Sequence, residues 1–539
     1  MKTTLYKLLL TCLILLGGME MSLKSVDYYF YVQLTDKNQS PYSLDSAQAF
    51  LSPRALERRK SFGIEVDSTD LPVSPHYIQQ IRALGFNVHS ASKWMNSLTL
   101  MVSDSASIVQ IDSLPFVSRV QYTGKKVTVA ANMKAPLKNS TISNNYGSAE
   151  TQIKQVRGDA LHQAGYTGEN ILIAVLDAGF SNVDQNRAFD SLRLLNKLIG
   201  AVNIVDPTVD TYKENSHGTY VLSIMAGNLP DEYLGAAPNA SYLLLQTEYA
   251  PTEYLYEVDF WVRGIEYADS AGADVVNSSL GYTDFYDTAM NFSYADMNGK
   301  VSRASRAATM ASQKGIIVCT SAGNDGNKNW KYIGSPADAD GILAVGAVTS
   351  TGVASAFSSF GPTADGRIKP DICAQGTATA FIYTSGDKGT GNGTSFSSPL
   401  IAGLSACYLQ YYKTKRDKLD MSEIIQNIAS SGHLYASPDA QLGYGIADFN
   451  KAMELTTSTG LQPNTNDLTI TETEKGIYRI NIDDMLIGID IYSISGTLVW
   501  QDRADASNGV INLTSLPAGI YLLKAYSQHK TSNLKFQHR

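Results

Sequence analysis

Ser395, His217 and Asp177 are the residues of this chain whose types and settings could do chemistry together. Ser395 lies in Gly391-Asn392-Gly393-Thr394-Ser395-Phe396-Ser397-Ser398-Pro399, a Gly-rich turn that runs into the apolar stretch Leu400 to Leu409. That order predicts a hydroxyl at a helix N-terminus, where unpaired N–H groups and the positive dipole end favour developing negative charge. His217 lies in Asn215-Ser216-His217-Gly218-Thr219, at the expected start of another helix. An imidazole titrates near neutral pH and suits proton transfer. His162 and His433, the other histidines between residues 150 and 456, lie in polar segments with no such context. Asp177 ends the apolar run Ile171 to Leu176. A carboxylate there needs a partner, because a buried unpaired charge is expensive. A hydroxyl is a poor nucleophile at its free pKa, so a base must take its proton as it attacks. The stretch around Ser395 taken alone also describes an ordinary helix N-cap of small residues.

These residues need elements to bring them together. Ile171–Leu176 reads as a strand buried on both faces, His217–Gly227 as a helix, and Ser241–Gln246 as a strand. In Glu257–Ala271 the apolar residues Val258, Trp261, Val262, Ile265 and Ala268 fall at helical spacing. Asp274–Ser278 returns as a strand, Ser302–Lys314 as a helix, and Ile316–Thr320 and Ile342–Val348 as strands. The alternation predicts an α/β domain with a doubly wound parallel sheet, whose ligands bind beyond the carboxyl ends of the strands. Asp177, Asn277-Ser278 and Asn324 each follow a strand end, which implies one cleft.

The motifs Asp177-Ala178-Gly179, His217-Gly218-Thr219 and Gly393-Thr394-Ser395, with Pro399 four residues after the serine, resemble those of the subtilisin-like serine proteases (subtilases, peptidase S8). The order Asp, His, Ser is that family's own, so this is a match and not a derivation. The resemblance implies Ser395 as nucleophile, His217 as base and Asp177 as the group that fixes its tautomer. It implies Asn324, in Ser321-Ala322-Gly323-Asn324, as a donor to the oxyanion, although Gly-Asn-Asp-Gly is also an ordinary turn. Ser279-Leu280-Gly281 resembles the segment that pairs with an extended peptide. With Ser321, Ala322 and Gly323 it would wall a roomy, mainly apolar pocket with no acidic residue for a basic side chain. The Tyr-rich stretch Tyr249 to Tyr256 reads either as the rim of the cleft or as a plain surface loop.

The chain departs from the pattern at Ala178, where Ser or Thr is usual, and at Tyr220, where a second His is frequent. The chemistry implied needs no cofactor. Family members often bind calcium, and structural calcium stays open here because no Asp-x-Asp-x-Asp-Gly run occurs. No metal ligand is assigned. A catalytically silent binding or adhesion protein on the same fold is the rival reading. An esterase fits less well, because the serine stands in Gly-x-Ser-x-Ser and not Gly-x-Ser-x-Gly.

The flanks point outward from the cell. At 539 residues the chain exceeds one ordinary domain. Its net charge of -8, without a Lys or Arg block, argues against a nucleic-acid partner. Residues 1–20 carry Lys2, Lys7 and the apolar run Leu8 to Leu16, which reads as a secretory signal peptide. The expected location is secreted or cell-surface. Beyond residue 20, Cys319, Cys373 and Cys407 are expected to be buried thiols, although one pair could bond.

Residues 23–145 show a β-α-β-β-α-β order, with a helix from Ser74 and strands Asn87–Ser92 and Ser97–Val102. This ferredoxin-like module is similar to the family's inhibitory propeptides, which implies an autoprocessed zymogen with cleavage in the polar segment Lys125 to Ser148. Arg58-Arg59 is expected on a solvated helix face. The catalytic-type domain spans 150–456, a linker 457–466, and seven short strands fill 467–539 as a β-sandwich. Tyr492-Ser493-Ile494-Ser495-Gly496-Thr497-Leu498-Val499 and Leu516-Pro517-Ala518-Gly519-Ile520-Tyr521 resemble the sorting domains of Bacteroidetes-type secreted proteins. That resemblance implies outer-membrane secretion machinery as a partner, beside polypeptide substrates and the chain's own propeptide.

Overall fold

Apolar runs bounded by polar turns become the strands of one parallel sheet. In the computed structural model these are β5 (Leu172–Asp177), β6 (Leu198–Asn203), β7 (Ser241–Gln246), β8 (Val275–Ser278), β9 (Ile317–Ser321), β10 (Leu343–Val348) and β11 (Ile372–Gln375). They lie in the order β11-β10-β9-β8-β5-β7-β6. The central strands are buried on both faces, as their unbroken hydrophobicity requires. Helix α3 (His217–Ala226) and helix α6 (Thr394–Lys413) share the core on one face, and α4 (Tyr256–Ala271) and α5 (Arg303–Gln313) that on the other. Register then sets the site: Leu176 pairs with Ser278, and Ser278 with Thr320. The turns after β5, β8 and β9 therefore open on one edge of the sheet.

The structure describes residues 26–127, 145–457, 468–482, 486–493, 497–502, 509–527 and 531–538. The expected signal peptide, residues 128–144 of the polar segment, and linker residues 458–466 lie outside them. Residues up to Thr456 form one compact unit, and Thr457–Arg539 another.

Ahead of the parallel sheet, β1 (Val26–Leu34), β2 (Asn87–Ser92), β3 (Ser97–Val102) and β4 (Val117–Val127) form an antiparallel sheet ordered β2-β3-β1-β4. Helix α2 (Pro75–Ala83) supplies Tyr77 and Ile81 to its core beside Phe30, Val32 and Leu100. Between β3 and β4 the chain forms two short helical pieces, Ser105–Ile108 and Val109–Asp112.

Helix α1 (Pro53–Phe62) carries Arg58 and Arg59, and here the expectation of a solvated face fails. The two residues are 4% and 1% exposed. Arg58 donates to Asp269 at 2.6 Å, and Arg59 donates to Asp70 at 3.0 Å and to Asp269 at 2.9 Å. Lys93 adds a third cation to Asp269 at 2.7 Å. Asp269 lies on α4, so the charge pattern of α1 is matched by a carboxylate from 210 positions away. A sequence window cannot show that partner. Asp269 is also buried; burial pushes its carboxyl up, and Lys93, Arg58 and Arg59 more than reverse this, holding it well below the usual carboxylate range.

The second unit contains the seven expected strands among its described residues, in a three-stranded and a four-stranded antiparallel sheet. Tyr478, Ile480 and Ile511 from one sheet share a core with Ile489, Ile491 and Leu523 from the other.

Candidate active site

Three backbone ends converge on the carboxyl edge of the sheet. β5 terminates at Asp177, whose side chain is buried. Its Oδ1 accepts from the Ala178 N–H at 2.8 Å and lies 2.8 Å from His217 Nδ1. Where the family usually has a hydroxyl, Ala178 offers none, and Oδ2 is buried without a partner among the described residues. Gly218 lets α3 approach: a Cβ there would sit 2.4 Å from the Gly179 carbonyl oxygen. The Asn215 side chain accepts from the His217 N–H at 2.8 Å, fixing the start of the helix. Burial pushes the His217 imidazole down, and the Asp177 carboxylate more than offsets it, so the net shift is upward. Tyr220, in place of a second His, stacks on Phe381 with ring centroids 4.8 Å apart.

Helix α6 begins at Thr394, one residue before Ser395, and not at Leu400 as the apolar run suggested. Pro399 lies inside this helix. Proline has no N–H for the carbonyl four residues earlier, which here is that of Ser395. The Ser279 hydroxyl donates to this carbonyl oxygen at 3.0 Å. Asn277 donates in turn to Ser279 Oγ at 3.2 Å and accepts from Ser398 Oγ at 2.9 Å. The first turn of α6 is thus tied to the end of β8 through side chains. The Ser395 Oγ donates to the Ser279 carbonyl at 3.4 Å, and no hydrogen bond joins it to His217 among the described residues. Phe396 lies beside the imidazole, with ring centroids 6.3 Å apart. Hydrogen bonds of this kind are commonly long before substrate arrives.

Asn324 is held by its carbonyl oxygen, which accepts from Thr394 N at 2.9 Å and from Thr394 Oγ1 at 3.1 Å. Its amide group has no hydrogen-bond acceptor among the described residues and lies at the turn: a Cβ on Gly393 would lie 3.8 Å from both Asn324 Nδ2 and Ser395 Cβ. Thr394 Oγ1 also accepts from the Gly323 N–H at 3.2 Å. Sequence reasoning missed Thr394 in this role, although its place beside Ser395 marked it.

A cavity of about 210 Å³ opens beside Ser395, lined by Ser279, Leu280, Gly281, Ser321, Ala322, Gly323 and Asn324. The expectation of a mainly apolar pocket without an acidic residue is corrected here. Asp325 and Lys328 also line it, paired at 2.9 Å.

The tyrosine stretch is neither a free rim nor a plain loop. Tyr256 is buried, Lys126 lies over the Tyr249 ring at 4.8 Å, and a Cβ on Gly124 would meet Tyr254 Cβ at 2.6 Å. The last strand of the N-terminal domain covers it. Next to it, Glu248, Glu253 and Glu257 place carboxylate oxygens within 4.8 Å of one another. Burial raises all three pKa values, that of Glu253 to about 9.

His162 lies 2.9 Å from both the Tyr146 hydroxyl and the Ala236 carbonyl, and His433 accepts from the Ile446 N–H at 3.0 Å. Both are structural. Cys319, Cys373 and Cys407 are free, buried thiols.

Comparison with known proteins gives three matched regions. Residues 168–445 match the subtilase family (Peptidase S8), residues 29–141 the Bacteroidota S8 propeptide domain, and residues 462–537 the secretion-system C-terminal sorting domain. The chain is 31% identical over 277 residues to Subtilisin NAT of Bacillus subtilis subsp. natto, covering 50% of this chain and 64% of that protein. It is 30% identical over 277 residues to a subtilisin of Bacillus pumilus, covering 50% and 89%. With the membrane-bound transcription factor site-1 protease of Mus musculus it shares 26% over 332 residues, 58% of this chain and 28% of that one. The chain thus spans a little under two thirds of the first of these relatives. On the match over residues 168–445, the chain belongs to the subtilase family.

Proposed function

We propose that this chain is a secreted serine endopeptidase that cleaves polypeptides through an acyl-enzyme and is made as an autoprocessed zymogen. The observation that carries the reading is the 2.8 Å contact of His217 Nδ1 with buried Asp177, with the imidazole beside Phe396 of the turn whose Ser395 lines a cavity together with Asn324. His217 takes the Ser395 proton as the hydroxyl attacks a peptide carbonyl, and later gives it to the leaving amine. Asp177 holds the imidazole in the tautomer with Nδ1–H and stabilises the imidazolium. The Asn324 amide receives the oxyanion. Ser279–Gly281 and Ser321–Gly323 seat the substrate backbone and side chain. The chemistry calls on no cofactor. Residues 23–145 act as the inhibitory propeptide, residues 467–539 as the address for secretion machinery, and residues 1–20 as the signal peptide that starts export.

The test is expression of the chain from residue 21, beside a Ser395→Ala version, followed by mass and by labelling with a fluorophosphonate serine probe. Loss of the N-terminal region with labelling of the parent alone is expected. A folded, intact and unlabelled parent overturns the reading and favours a silent binding protein.

A further inference from the structure

The His217 imidazole is gripped at one atom and braced on its face. Asp177 meets Nδ1, and a contact at a single ring atom leaves the ring able to tilt about it. The side chain is 34% exposed, so burial does not immobilise it unaided. Against the face lies Phe396, with 6.3 Å between ring centroids and 28° between planes. Phe396 stacks on Phe381 at 5.1 Å and 24°, and Phe381 stacks on Tyr220 at 4.8 Å and 30°. Separations of about 4.5–7 Å are those at which aromatic pairs attract. Tyr220 stands one turn after His217 on α3, on the same side of that helix. The row of rings therefore leaves α3 at His217 and returns to it at Tyr220.

The middle ring is anchored from outside the row. Phe381 belongs to β12 (Thr379–Ile382), which pairs with β13 (Lys388–Gly391). The backbone is tied down on both sides of it. Gln152 accepts from the Ala380 N–H at 2.8 Å, and the Gln152 amide and the Tyr233 hydroxyl each donate to the Ala380 carbonyl at 3.1 Å. The Ser223 hydroxyl of α3 accepts from the Ile382 N–H at 2.9 Å. Phe381 and Phe396 are buried, and Tyr383 closes the row edge-on, 4.9 Å from Phe381 and 5.6 Å from Tyr220. Gly391 makes room for the stack: a Cβ there would lie 2.6 Å from Phe396 and 2.8 Å from Phe381. The cavity beside Ser395 is walled by other residues, so the row bears on the base rather than on the seat of the substrate.

We propose that Phe381 and Tyr220 are positioning residues for the base: through Phe396 they hold the His217 imidazole at the tilt from which Nε2 takes the Ser395 proton. This rests on reading the chain as a serine endopeptidase. Proton transfer needs Nε2 and Oγ aligned at hydrogen-bond distance, and a misplacement of about 1 Å can cost about 10²-fold. Such alignment lasts only where the supporting side chains are themselves locked by packing. Asp177 fixes the tautomer, and the rings fix the plane. Tyr220, at a position where the family frequently has a second His, is the far support of the row.

The test compares the full chain carrying Phe381→Leu, Tyr220→Leu or Tyr220→Phe with its parent. Active sites are counted with the fluorophosphonate probe, kcat and KM are measured on a short peptide, and the low-field Nδ1–H proton resonance of His217 is recorded by NMR. Leucine keeps apolar bulk and ends the stacking; phenylalanine at 220 keeps the ring. The expected result in both Leu variants is kcat lower by about tenfold, KM within about twofold and a broadened resonance. Tyr220→Phe is expected to keep the parent's values. Should Phe381→Leu fail to fold, Tyr220→Leu, at a half-buried position, decides the matter by itself. Unchanged kcat in folded Leu variants, a loss confined to KM, or an equal loss in Tyr220→Phe overturns the assignment. A parent that neither takes the probe nor cleaves removes the endopeptidase reading. The resonance then reads the brace alone: broadening in the Leu variants upholds it, and an unaltered line overturns it.

Discussion

Arg59 of the N-terminal domain donates to Asp269 of helix α4 at 2.9 Å, and both side chains are removed from solvent. Arg58 and Lys93 converge on the same carboxylate. A buried ion pair is a poor source of net stability, but removing one partner strands the others. Asp269→Asn therefore takes their shared counter-charge from Arg58 and Lys93 and leaves Arg59 with Asp70 alone. The expected loss is about 3–5 kcal/mol for the joined unit, read as a lowered denaturant midpoint and a poor refolding yield. An unchanged midpoint would mean that Asp70 alone carries these cations.

Activity should follow the charge of His217. The base must be neutral, and Asp177 lifts its pKa above the ordinary value of about 6.5. Turnover should therefore fall as pH drops, with its half-point above 6.5 and not below. A kcat/KM profile on a short peptide, with folding checked by circular dichroism, decides this. A flat profile from pH 5 to 8 excludes His217 as the base.

Asn324→Ala removes the donor that Thr394 aims. The expected loss is about 10² to 10³ in kcat with little change in KM, as for an interaction made in the transition state. A loss confined to KM would place Asn324 in ground-state binding instead.

Pro399 keeps the Ser395 carbonyl free for Ser279. Pro399→Ala supplies an N–H that competes for this oxygen and removes a proline from a helix interior, where proline costs about 3 kcal/mol. The variant should melt higher and turn over more slowly, by roughly tenfold if the site shifts by a few tenths of an ångström. Higher stability with full activity would show that the Ser279 tie is dispensable.

Glu253 is half-buried beside the buried Glu248 and Glu257, and its pKa is raised to about 9. Its folded pKa exceeds its unfolded one, so the folded state holds the proton more tightly. The stability this contributes is complete below about 4.5 and is lost as pH rises toward 9. Glu253→Gln should flatten the fall in melting temperature between pH 6 and 9. An unaltered slope would mean that a cation, and not a proton, neutralises the three carboxylates.

Much of this was legible in order along the chain. Strands buried on both faces are continuous apolar runs, so β5, β7, β8, β9 and β10 could be read from Leu, Ile, Val and Ala alone. Asp177, His217, Asn324 and Ser395 sit in short motifs whose local backbone is set by adjacent Gly, Ser and Thr. The four-stranded order of the N-terminal domain followed from the same periodicity. Distance decided the rest. Arg58 and Arg59 look solvated until Asp269 arrives from α4, because burial of a charge depends on a partner that sequence spacing does not reveal. That Asp325 and Lys328 line the pocket shows only in the fold. Pro399 lies inside α6, and only the fold shows that Ser279 takes the carbonyl it leaves free. Local propensity and pattern name the elements and the reactive groups; which charges are neutralised, and which carbonyl accepts which hydroxyl, is settled only when the sheet register brings distant segments together.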